Sequence, residues 1–65
     1  MDQVKTGALI RTLRTQKGLT QKALAEAVGM GDKAVSKWER GLGCPDVSLL
    51  PELSRVLGVR LEALL

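Results

Sequence analysis

Apolar residues recur along this chain at intervals of three and four, and glycines and prolines break the pattern into five short pieces. From about Gln3 to Lys17, Leu9, Ile10 and Leu13 share one face of a helix, and Gly18 suits its C-terminal end. Thr20 is placed to cap a second helix, "QKALAEAV", with Leu24, Ala25 and Val28 on one stripe. Gly29 closes it. A third helix is predicted from about Asp32 to Arg40. In the fourth piece, "VSLLPELSRVLG", a proline costs little where its missing N–H would be unpaired anyway. The spacing therefore predicts Ser48, rather than Asp46, as the cap, with Pro51 in the first turn and Leu53, Val56 and Leu57 facing inward. The last piece, "VRLEALL", brings Leu61, Leu64 and Leu65 to one side of a short terminal helix. No strand-like alternation and no internal repeat interrupts this pattern, so the expected class is all-α.

Length and composition narrow the picture. Sixty-five residues bury one small core and no more, which predicts a single domain. Lys and Arg number 10 against 7 Asp and Glu, giving a net charge of +3. That balance suits nucleic acid or an acidic surface, but many ordinary domains share it, so charge alone decides nothing. The single cysteine, Cys44, has neither a disulfide partner nor the Cys/His company of a metal site. With no apolar run near the ~18 residues of a membrane span and no signal-peptide pattern in "MDQVKTG", a cytoplasmic location is expected. The chain has no histidine, no paired carboxylates, no glycine-rich phosphate loop and no nucleophile beside a base. An enzyme is therefore not expected, nor is a cofactor, metal or small-molecule ligand. RNA also fits poorly, since no exposed aromatic residue is expected to stack bases.

The third helix divides its faces sharply. Taking Lys33 as zero, Lys37 falls at about 40°, Arg40 at about −20° and Ser36 at about −60°. Val35 and Trp38 fall on the far side, at about 200° and 140°. Trp38 is thus expected to anchor the helix rather than stack on a base. The cations have no Glu four residues away to pair with, so a surface laced by helical salt bridges is a poor account of them. Two short helices joined by a tight glycine-containing turn form the helix-turn-helix arrangement, whose second helix enters the DNA major groove. Glu39 falls near about 240°, beside Val35, where an unpaired carboxylate is costly. Arg14 lies on the inward side of the first helix, about 40° from Ile10. An Arg14–Glu39 ion pair between the two helices is predicted.

From Gly7 to Leu65 the chain also resembles the Cro/C1-type (XRE-like) helix-turn-helix domain of bacterial and phage repressors. The match rests on "LIRTLRTQKGLTQKALAEAVG", "AVSKWERG" and "CPDVSLLPELSRVLGV" in that order. The resemblance implies a compact five-helix, lambda-repressor-like fold and a regulator, expected to be a repressor, that binds double-stranded DNA sequence-specifically. It implies base contacts from Asp32, Lys33 and Lys37, with Ser36 between them meeting base or sugar. It implies phosphate contacts from Gln21 and Arg40, with the capping Thr20 hydroxyl as a secondary one. Arg14 and Glu39 match a pair that forms a buried salt bridge in phage repressors. A homodimer on a palindromic operator is implied as well, with the terminal helix either on the core or against a second subunit. Two positions depart from the family. Gly31 stands where Ser or Thr usually caps the third helix, and Asp32 puts an acid at its entry. Asp32 serves either the helix dipole or a cytosine amino group. The rival function is a protein-interaction module that keeps the fold and binds DNA weakly.

Overall fold

The computed structural model describes residues 1–65. Its elements, in chain order, are α1 (Gln3–Gln16), α2 (Gln21–Ala27), α3 (Asp32–Glu39), a 3-10 turn (Val47–Leu49), α4 (Leu50–Leu57) and α5 (Leu61–Leu64). Side chains fix several of the boundaries. The Asp2 carboxylate accepts from the backbone N–H groups of Val4 and Lys5, both at 3.0 Å, and so starts α1. Thr20 Oγ1 accepts from the Ala23 N–H at 3.0 Å and starts α2 in the same way. After α2 the chain reverses within Val28–Gly31. Gly29 takes a φ of 71°, its N–H bonds the Glu26 carbonyl, and the Met30 N–H bonds the Ala25 carbonyl at 2.8 Å. That pattern needs a left-handed residue, which glycine adopts without steric cost.

The start of α4 differs from the sequence expectation. Ser48 does not cap it. Val47–Leu49 form a 3-10 turn, the Ser48 hydroxyl donates to Asp46 Oδ2 at 2.9 Å, and Leu49 takes the cap position with no side-chain bond. The first α4 turn tightens instead of being capped, which satisfies orphan N–H groups by shorter-range bonds. Pro51 still falls in that first turn, where its missing N–H is harmless.

Ile10, Leu24, Ala25, Val28, Val35, Trp38, Leu50, Leu53, Leu57 and Leu64 form one buried cluster drawn from all five helices. The terminal stripe is split: Leu64 is fully buried, Leu61 half-buried and Leu65 exposed. With only four residues in α5, adjacent leucines cannot share one face. The buried Thr6 hydroxyl donates to the Leu64 carbonyl at 3.2 Å, tying the end of the chain to α1. Where α1 crosses α3 the backbones nearly touch. A Cβ at Gly7 would lie 1.8 Å from the Trp38 carbonyl oxygen.

Candidate nucleic-acid interface

One polar network sets the position of α3 against the helices around it. Arg14 Nε donates to Glu39 Oε2 at 2.6 Å, and a second guanidinium nitrogen donates to Glu39 Oε1 at 3.0 Å. The third nitrogen donates to the Leu19 carbonyl at 2.8 Å, so one side chain spans α1, the α1–α2 connection and α3. Gln21 Nε2 completes the network by donating to Glu39 Oε1 at 3.1 Å. The side chains of Arg14 and Glu39 are 12% and 4% exposed. Burial alone would push the Glu39 pKa up. The bonds from Arg14 and Gln21 outweigh it and hold the carboxyl below its ordinary value, while Glu39 raises the Arg14 pKa through the same bond.

The residues expected to meet DNA divide into an exposed row on α3 and flanking groups on α2 and the α3 C-terminus. Asp32, Lys33 and Lys37 are exposed, Ser36 is half-buried, and Val35 and Trp38 are buried beneath them. The chain contains two ion pairs, Arg14–Glu39 and Arg55–Glu52, so Asp32, Lys33 and Lys37 stand unpaired. Arg40 Nε turns back to the Ser36 carbonyl at 3.3 Å, beside the Arg40 backbone N–H that bonds the same oxygen, and its terminal guanidinium nitrogens make no hydrogen bond within the chain. Thr20 is exposed; its oxygen accepts within the cap and its hydroxyl hydrogen remains available. Gln21 is half-buried, and the bond to Glu39 uses only one of its two amide hydrogens. Gly31 makes no side-chain cap, as its lack of a side chain dictates.

Besides the Gln21–Glu39 bond, two parts of this arrangement escaped the sequence reading. The Leu19 carbonyl has no sequence signature, because any residue there presents the same acceptor. Gly7 did leave a trace: glycine inside a helix costs ~1 kcal/mol relative to alanine, which points to a packing reason.

Residues 10–64, which include both helices flanking the glycine turn, match a family model described as Helix-turn-helix. The chain belongs to this helix-turn-helix family. No helix of the chain is long and apolar enough to cross a membrane. Among curated proteins the chain is 41% identical over 56 residues to the HTH-type transcriptional activator BcrR of Enterococcus faecalis, covering 86% of this chain and 28% of that one. It therefore spans under a third of that relative's length. Among solved structures it is similar to the restriction-modification controller protein C.AhdI from Aeromonas hydrophila, with a TM-score of 0.86 and 34% identity. That match covers 98% of this chain and 93% of the other. It is equally similar to the P22 c2 repressor protein, solved in complex with a synthetic operator, with a TM-score of 0.87 and 35% identity over 92% and 91% of the two chains. The helix-turn-helix family is a DNA-binding one, and its second helix is the element that enters the major groove.

Proposed function

We propose that this domain is the sequence-reading part of a cytoplasmic transcriptional regulator, acting as a repressor by occupying a palindromic operator as a homodimer. The observation that carries this reading is the outward row of α3. Lys33 and Lys37 are exposed and unpaired on a helix whose opposite face is buried in the core. The likeness to a repressor solved with its operator supports the same reading. On DNA, the N-terminal part of α3 enters the major groove, where Asp32, Lys33, Ser36 and Lys37 meet base edges. Thr20, Gln21 and the free end of Arg40 bind phosphates on either side and fix the register. Gln21 bonded to Glu39 gives the phosphate an amide held in one rotamer. The domain acts by binding and not by catalysis.

Selection of bound duplexes from a randomised pool, at two salt concentrations, tests this. A consensus with two-fold symmetry is the expected result. No enrichment at low salt would instead favour a protein-interaction module that has kept the fold.

A further inference from the structure

The outward face of α3 carries two rows of chemically different groups. Lys33 and Lys37 lie one turn apart, within about 40° of each other around the axis. Asp32 and Ser36 form a second row, displaced by roughly 100°. Lysine ammonium groups only donate, and an ionised aspartate only accepts. Between Gly31 and Arg40 there is no Asn or Gln to present a donor and an acceptor together. The one amide nearby, Gln21, is turned to Glu39. In the major groove adenine shows an acceptor beside a donor, and it is that mixed pair which an amide matches. Guanine shows two acceptors, and cytosine a lone amino donor.

Resting on the DNA-binding reading above, we infer that α3 selects G·C base pairs, with Lys33 and Lys37 on guanines of one strand and Asp32 accepting from a cytosine amino group of the other. The geometry suits base pairs about two steps apart. Four residues of helix rise about 6 Å, a little under two base steps of about 3.4 Å. Asp32 is the element that discriminates. Near phosphates its charge weakens binding to every duplex, and a cytosine amino group, which has no acceptor N7 beside it as adenine's does, offsets this best, so wrong sequences are rejected more strongly than the right one is gained.

The test is selection from the randomised duplex pool with the whole 65-residue chain and with the variants Asp32→Asn, Asp32→Ala and Lys33→Gln, each first verified as helical by circular dichroism. The wild-type half-site is expected to hold guanines at two positions and a cytosine at a third, each worth roughly tenfold or more in affinity over an A·T pair. Asp32→Asn is expected to move the third position from cytosine to adenine. Asp32→Ala is expected to lose that preference while binding random duplex more tightly. An A·T consensus from the wild type, or an unchanged consensus from Asp32→Asn, overturns the inference and leaves DNA binding standing. So does Lys33→Gln lowering the salt dependence without altering the consensus, because that marks a phosphate contact. Failure of every variant and the wild type to enrich any sequence removes the DNA-binding reading itself.

Discussion

Glu39 keeps its charge with 4% of its side chain exposed because three donated hydrogen bonds replace the water it loses. Removing one partner, by Arg14→Ala or Glu39→Ala, strands the other and is expected to cost about 3–5 kcal/mol. A double-mutant cycle measured by denaturant unfolding should show coupling above about 1 kcal/mol, and additive effects would show that the pair is not an energetic unit. The pH dependence follows in sign. The folded carboxyl has a pKa below the ordinary 4.5, so on acidification the unfolded chain takes up the proton first. The stability that Glu39 supplies is thus fully present above about pH 4.5 and is lost as pH falls through its folded pKa. Unfolding of the wild type and Glu39→Gln should therefore differ by a constant amount above about pH 4.5 and converge as the pH falls below it, whereas parallel curves throughout would show that the group does not titrate differently on folding. At Gly7 the issue is space. Alanine is the better helix former by ~1 kcal/mol, yet its Cβ would sit 1.8 Å from the Trp38 carbonyl oxygen. Gly7→Ala is expected to destabilise the domain by about 1–3 kcal/mol, seen as a lowered Tm.

Among the elements, α3 carries the outward polar row and begins without a side-chain cap. Gly31 holds the extended cap conformation, φ −84° and ψ 155°, with nothing within 4 Å of where its Cβ would be. Gly31→Ser is therefore expected to stabilise the domain by a few tenths of a kcal/mol through the missing cap bond. Thermal unfolding measures this, and an unchanged or lower Tm would show that the cap serves something else. The contrast between Gly31 and Gly7 shows what a sequence can reveal. Caps, glycine stops and apolar stripes depend on residues within a few positions of each other, and α1, α2 and α3 could be read almost to the residue from them. So could the Arg14–Glu39 meeting, because both residues lie on the core side of their helices. The start of α4 was misplaced because a 3-10 turn spends Ser48 on Asp46, a choice that competes with capping and leaves no distinct pattern. Gly7 against Trp38 and Gln21 against Glu39 depend on how whole helices cross, which local spacing does not encode.

At the scale of the molecule, the fold divides labour between groups that hold α3 and groups that face outward, and salt dependence separates those that position the domain from those that read sequence. Thr20, Gln21 and Arg40 are proposed on phosphates, but only Arg40 is a cation and releases a counterion, so these contacts give a slope of log K against log salt of about −2 for a dimer. A monomer with the same contacts would give about half of that. Arg40→Ala should flatten the slope by about 1 per protomer while weakening all duplexes alike, since a phosphate contact carries no sequence information. Lys33→Ala should instead leave the slope nearly unchanged and relax the preference at one base pair. Arg40 Nε also bonds the Ser36 carbonyl, which keeps its bond from the Arg40 backbone N–H in the alanine variant; the unfolding transition of the free protein measures any change in stability separately from the binding slope. Fluorescence anisotropy on one selected and one scrambled duplex, across a salt series, distinguishes the two classes. If both variants changed the slope equally and neither changed the ratio between the duplexes, α3 would be holding DNA by charge alone.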